Sequence, residues 1–285
     1  NNEFVNNLNK ELFKENDISD EYYYKVYGKK TIKLKNEIEK NIKEKFNQKS
    51  DILDKFDWSE DALDKGSNDF ERYIFYTMLY REFKYNTKFV ELDKDKFNDT
   101  ENVKFFGVKD NKESYKDQIQ VIYYNNENDF AIKLTTTSND EIILNKNPKR
   151  NSFKDIYNNV IDNGSKYKGN KDFSKQDNFK MPYINLNVLK EYKELENQEF
   201  YDVNNNKLVV DKALQTIKFE LNETGGKIKS EAGMDVVKFS SLNPKDESRN
   251  FNVDSTFAIF LKEENKDKPY FAARIDDISK YQKIR

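Results

Sequence analysis

Residues 217 to 275 alternate and pause in a way that commits the chain to a β-rich fold. An apolar strand pattern (IKFELN) meets a glycine pair (ETGG), then a second alternating segment (KIKSEAGMDV), a polar stretch (SSLNPKDESRN) and two more strand patterns, FAIFL and PYFAARI. In the second segment Gly226, Ile228, Ser230, Ala232, Met234 and Val236 share one face, and Lys227, Lys229, Glu231 and Asp235 share the other. That is the period of a strand with one buried face. Yet the segment lies between a double glycine and loop-type residues, so strand chemistry occupies a loop. A loop able to become a strand is a candidate switch.

Only eight of the 285 residues are glycine, and three of them are Gly225, Gly226 and Gly233. Sparing use of glycine marks where the backbone must bend or be approached closely. Upstream, the segments 3–15 and 33–48 read as helices; in the latter Leu34, Ile38, Ile42 and Phe46 make one apolar stripe. From about residue 72 short strands and polar turns are expected to dominate to the end. No repeat of fixed period is present.

Several classes of chemistry are excluded by what is missing. With no cysteine and no histidine, disulfides, thiolate nucleophiles, Ser-His-Asp and Cys-His machinery and the usual zinc ligand sets are unavailable. Fifty basic and 52 acidic side chains leave a net charge of -2, so no global field draws the protein to nucleic acid. No apolar run approaches the roughly 20 residues of a membrane-spanning helix. The acidic pairs Asp276/Asp277 and Asp93/Asp95 read as solvated surface, since carboxylates are spread over the whole chain. Sequons stand at Asn98, Asn163 and Asn222, but asparagine is frequent enough that chance matches are expected. No catalytic residue, metal site or cofactor is assigned, and the chain is expected not to be an enzyme.

The run Leu221-Asn222-Glu223-Thr224-Gly225 and the strands and charged turn that follow it (FNVDSTFAIFL, KEENKDK, PYFAARI) resemble the serpins, in which a strand ending Asn-Glu-x-Gly leads into an exposed reactive loop. Further segments follow in the family's order. YTMLYREFKYNTKF (76–89) resembles the strand leading to a Trp-Lys-x-x-Phe type segment, with Tyr85 in the Trp place and Phe89 retained. VKFFGVKDNKESYKDQIQVIYYNNENDFAIKLTT (103–136) comes next, and FKMPYINLNVLKEY (179–192) is similar to the proline-bearing strand that leads to a short helix. The position after Pro182, often basic in the family and paired with the hinge glutamate, is Tyr183 here, which leaves Glu223 without an evident partner.

The resemblance implies an α+β fold. It would be a single serpin-like domain over 1–285, with a large central, mostly antiparallel sheet, a second sheet or barrel, helices on one side, and the reactive loop within 225–250. It implies a protease inhibitor of the suicide-substrate type: a serine or cysteine protease cuts the loop, and the freed segment inserts into the central sheet. The hinge residues would be Glu223, Gly225, Gly226, Ile228, Ser230 and Ala232. Family spacing puts the scissile region at Lys238, Phe239 and Ser240, although Val236, Val237 and Phe239 also read as ordinary strand residues. Inhibitory serpins usually carry small residues on both faces of this hinge, and Lys227, Ile228, Lys229 and Glu231 depart from that. The alternative is therefore a non-inhibitory serpin-like binding or structural protein. Serpins also open with helices for which this chain has too few residues. The expectations are a shortened N-terminal part or a second chain that completes the fold. Family analogy alone points to secretion.

Overall fold

The computed structural model describes residues 17–50, 52–59, 71–110, 112–193, 196, 198–201, 205, 207–210, 214–227 and 248–282. Its strands and α-helices run β1 (Tyr23–Lys29), α1 (Ile32–Phe46), β2 (Glu71–Leu79), β3 (Phe83–Lys84), β4 (Val90–Phe97), β5 (Thr100–Gly107), β6 (Ile119–Asn126), β7 (Asp129–Thr135), β8 (Asp140–Lys146), α2 (Phe153–Lys166), β9 (Asn178–Pro182), β10 (Ile184–Glu191), β11 (Glu199–Tyr201), β12 (Lys207–Val210), β13 (Leu214–Asn222), β14 (Gly225–Lys227), β15 (Asn250–Asn252), β16 (Phe257–Glu263) and β17 (Phe271–Ile275). The fold is mixed α+β, and most strand pairs are antiparallel. The chain groups into two compact units, divided at residues 18/19, 81/82, 185/186 and 218/219. The helix expected over 3–15 lies outside the described residues. No helix among the described residues is long and apolar enough to cross a membrane.

In the smaller unit the apolar stripe read from the sequence makes α1, slightly shorter than the expected 33–48. Thr31 caps the helix start by accepting the Leu34 N–H at 3.1 Å, and Asn47 ends the helix in the left-handed region at φ 53°. Ile38, Ile42 and Phe46 are buried with Ile52, Leu53, Phe56, Ile74 and Tyr76, while Tyr24, Val26 and Met78 close the same core. Ile52, Leu53 and Phe56 come from the turn that follows the helix, and the remaining partners come from β1 and β2, paired antiparallel with Val26 opposite Tyr76. β1 precedes residue 72, where the sequence reading placed the onset of strands. Its Tyr-Tyr-Lys-Val-Tyr run already alternates. The sheet continues as β1-β2-β12-β11, with β12 parallel to β2.

The larger unit holds a five-stranded antiparallel sheet, ordered β17-β16-β8-β7-β6, and a four-stranded sheet, ordered β15-β9-β5-β4, in which β15 lies parallel to β9. The second α-helix was not foreseen. Phe153, Ile156, Tyr157 and Val160 recur at helical spacing behind Ser152, whose hydroxyl accepts the Asp155 N–H at 3.0 Å. Those four residues pack on Tyr123, Ala131, Ile143, Ala258 and Phe260 of the five-stranded sheet. The expected short helix after FKMPYINLNVLKEY is also corrected: β10 runs on to Glu191, and no helix follows among the described residues up to β11.

Strand β8 is buried at every position, including Asp140, Glu141, Asn145 and Lys146. A buried charge persists only where neighbours compensate it. Glu141 lies between Lys133 at 2.7 Å and Lys262 at 2.8 Å on the flanking strands, Lys146 meets Asp254 at 2.7 Å, and the Tyr270 hydroxyl donates to Asp140 at 3.1 Å.

The start of β15 is held by the most enclosed ion pair described. Asp177 is wholly buried and Arg249 nearly so; the guanidinium reaches Asp177 through Nη2 at 2.7 Å and Nε at 3.1 Å. It also donates to the carbonyls of Asn170 at 2.5 Å and Asp172 at 2.7 Å. This bidentate arrangement fixes where the chain returns after residue 247. Removing the carboxylate strands a buried cation, so Asp177→Ala is expected to lower stability by about 3–5 kcal/mol. A urea-denaturation midpoint unchanged by the substitution would contradict that assignment.

Candidate functional site

Strand β13 ends at Asn222, and a two-residue turn, Glu223–Thr224, reverses the chain into β14. The turn is local chemistry: Asn222 Oδ1 accepts the Thr224 N–H at 2.9 Å and the Thr224 hydroxyl at 2.6 Å. Each of the next residues faces a strand on either side. Gly225 lies opposite Asn222 of β13 and Lys84 of β3, and Gly226 lies opposite Leu221 and Phe83. The sheet order is β10-β13-β14-β3. Gly225 has φ +146°, and a Cβ there would overlap the Phe83 carbonyl; at Gly226 it would overlap the Phe83 ring. Both glycines are thus required by how closely β3 approaches.

The turn's carbonyls are held from below. Phe89 N–H donates to Glu223 O at 2.9 Å, and Tyr85 N–H donates to Thr224 O at 3.1 Å. Tyr85 and Phe89 meet edge to face at 4.7 Å, and Phe89 also packs on Tyr115, Phe179 and Phe106 at 5.2, 5.1 and 5.8 Å. The two positions that the sequence reading matched to the family's aromatic segment therefore sit directly against the Glu223–Thr224 turn.

Glu223 has partners after all. Lys88 approaches its carboxylate at 3.4 Å, and the Tyr183 hydroxyl hydrogen-bonds it. Tyr183 packs edge-on to Phe106 at 5.3 Å. The expectation that a non-basic residue after Pro182 leaves Glu223 alone fails because a tyrosine hydroxyl reaches the same carboxylate. The lysine comes from the turn before β4, a contact that spacing along the chain does not reveal. Burial disfavours the ionised carboxylate, but Glu223's own backbone N–H, Tyr183 and Lys88 outweigh it and hold the carboxyl below its usual range. Burial, then the Glu223 hydrogen bond, pushes the Tyr183 hydroxyl up.

Other sequence-picked positions resolve into structure. Ile228, Ser230, Ala232, Lys238, Phe239 and Ser240 lie outside the described residues. Asp277 caps the 3-10 turn at Ile278 by accepting the Ser279 N–H, Asp276 binds Arg274 at 3.0 Å, and Asp95 binds Lys180 at 2.6 Å. Asn98 adopts a positive φ and donates to Asp276 O at 3.1 Å. Among the described residues no cluster of three or more acidic side chains is arranged to hold a metal ion.

No family model and no curated protein matches the chain. Solved structures similar to it include thyroxine-binding globulin in complex with thyroxine, at 10% identity and a TM-score of 0.49, covering 85% of this chain and 63% of that one. Another is Serpin48, a highly specific serpin of the insect Tenebrio molitor (14% identity, TM-score 0.42, 91% and 77% coverage). A third is tengpin, a thermophilic serpin in the native state (10%, 0.47, 86% and 63%). The chain thus spans 63% of the thyroxine-binding globulin and tengpin chains.

Two predictions test the surroundings of the Glu223–Thr224 turn. The Tyr85 hydroxyl is buried with no hydrogen-bond partner among the described residues. Removing an unsatisfied buried hydroxyl costs nothing in hydrogen bonding, so Tyr85→Phe should leave stability unchanged or raise it by about 1 kcal/mol in chemical denaturation. A loss of 1 kcal/mol or more would mean the hydroxyl is bonded. Glu223 has a lowered folded-state pKa, so its contribution is present above the ordinary carboxylate range and lost as pH falls through the folded value. Glu223→Gln should therefore cost about 1 kcal/mol at pH 7 and progressively less below pH about 4. A stability difference that did not shrink on acidification would rule out the ionised pairing.

Proposed function

We propose that this chain is a serpin-type protease inhibitor that acts as a suicide substrate. The observation that carries the reading is β14: Gly225–Lys227 pairs with β13, and its first two residues, Gly225 and Gly226, already lie between β13 and β3, at the start of the alternating segment. In this reading they are the first residues of an added strand. Continuing the same face by twos gives Ile228, Ser230, Ala232, Met234 and Val236, all small or apolar. A charge on that face, buried and unpaired, would cost several kcal/mol.

The mechanism needs no catalytic group in the inhibitor. A serine or cysteine protease takes the loop as substrate, its nucleophile attacks the carbonyl at the bond near Lys238, Phe239 or Ser240, and the amine half departs. The acyl-linked half is then free to extend β14, gaining ladder hydrogen bonds and buried side chains, and carries the protease with it before deacylation. The intact form persists for kinetic reasons and cleavage releases stored strain. By analogy with the serpins alone, this chain would be secreted and would meet its target protease outside the cell.

One observation favours a second reading. Lys227, Lys229 and Glu231 occupy the opposite face with long charged side chains, and slow insertion lets the protease deacylate and leave. The chain would then serve as a binding or structural module whose loop is cut without trapping.

Thermal unfolding before and after a cut confined to residues 236–242, confirmed by mass spectrometry, separates the two. A large rise in Tm, together with a protease adduct surviving denaturing electrophoresis that Ser230→Glu abolishes, is the expected outcome. Cleavage with no rise in Tm and no adduct would sink the inhibitory reading and favour the module.

A further inference from the structure

Helix α2 covers the five-stranded sheet with an apolar stripe, but one flank of that stripe is built of amides. Asn159 and Asn163, one turn apart, line a cavity of about 220 Å³ with Tyr123 of β6, Asp129 of β7, Asn145 of β8 and Lys149. A pocket meant only to close a core would be filled with apolar side chains. This one is walled by hydrogen-bonding groups.

Two of those groups have capacity left over. Asn145 is 2% exposed. Its Nδ2 donates to the Tyr123 hydroxyl at 3.0 Å and to Phe130 O at 3.1 Å, yet its Oδ1 accepts no hydrogen bond among the described residues. That oxygen is not one of the fully buried atoms left without a partner, so it keeps contact with the solvent of the cavity that Asn145 lines. Asn159 is half-buried, and its side-chain amide likewise makes no hydrogen bond among the described residues. The charged groups, by contrast, are spent on each other: Lys149 meets Asp129 at 2.8 Å, and the Tyr123 hydroxyl donates to Asp129 at 3.2 Å. Burial, then the Asp129 charge, pushes the Tyr123 hydroxyl up to about 12, so it stays protonated.

The cavity therefore offers neutral donors and acceptors and no uncompensated charge. It is smaller than the roughly 300–1,000 Å³ of pockets that hold drug-sized ligands. A carboxamide presents a donor and an acceptor side by side, which suits neighbouring hydroxyls of one small molecule.

We propose that this cavity binds a neutral polyhydroxylated molecule of monosaccharide size, with Asn145 Oδ1 and the Asn159 amide as its hydrogen-bonding partners and Asn163, whose side chain also hydrogen-bonds the Tyr123 hydroxyl, beside them. The site is independent of the hinge, so it stands or falls apart from the inhibitory reading. The test is saturation-transfer NMR on the full chain with D-glucose, D-mannose, N-acetyl-D-glucosamine and myo-inositol, and with acetate and inorganic phosphate as charged probes. Saturable binding of at least one sugar or inositol is expected, weakened tenfold or more in Asn159→Ala. That residue makes no hydrogen bond among the described residues, so its Tm should be unchanged and the loss attributable to the site; Asn163→Ala should weaken binding in the same way. Absence of saturable binding by every neutral probe would overturn the proposal. So would preference for the anions, or sugar binding that both variants retain in full.

Discussion

Phe89 is the contact on which the larger unit's architecture turns. Its ring is 1% exposed and meets Tyr85, Phe106, Tyr115 and Phe179, side chains carried by four different stretches of the chain. Its backbone N–H donates to the Glu223 carbonyl. One residue thus joins the apolar interior, where burial of each aromatic ring supplies on the order of 2–3 kcal/mol, to the turn from which β14 starts. With that cluster in place, the Glu223–Thr224 turn has fixed partners for both carbonyls. Two glycines can then lie against β3, where any side chain would collide.

The same economy of position governs the charges. A chain in which over a third of the residues are charged cannot keep all of them on the surface of a sheet-rich fold. Cross-strand register solves this at Glu141, which faces Lys133 and Lys262, and the bidentate Asp177–Arg249 pair solves it at the entry to β15. Such pairs add little net stability over apolar residues of similar size, but breaking one is costly. They act as register marks: a slip by one residue would bury Glu141 without its lysines.

Much of this was legible from local pattern. The stripe Leu34, Ile38, Ile42, Phe46 lies in α1, the strand patterns IKFELN, FAIFL and PYFAARI are β13, β16 and β17, and Tyr85 and Phe89, singled out by the family resemblance and not by pattern, lie together beside the Glu223–Thr224 turn. What was missed falls into two kinds. The helix α2 carried a readable signal, an apolar i, i+3, i+4, i+7 set behind a serine cap, and was obscured by the asparagines between. Of the helix's asparagines, Asn159 and Asn163 line the cavity. The partners of Glu223 carried no such signal, because Lys88 and Tyr183 are 135 and 40 residues away along the chain and are brought in by tertiary packing.

The amino-acid sequence by itself determined the α+β character, the strand-period segment after Gly225–Gly226, and the exclusion of cysteine and histidine chemistry, because these depend on composition and on spacing between near neighbours. Only the tertiary structure decided which carboxylates are paired, that Gly225 and Gly226 lie between β13 and β3, and that Asn145 and Asn159 line one cavity. These are contacts between residues far apart in the chain, set by register and packing, and no local pattern encodes them.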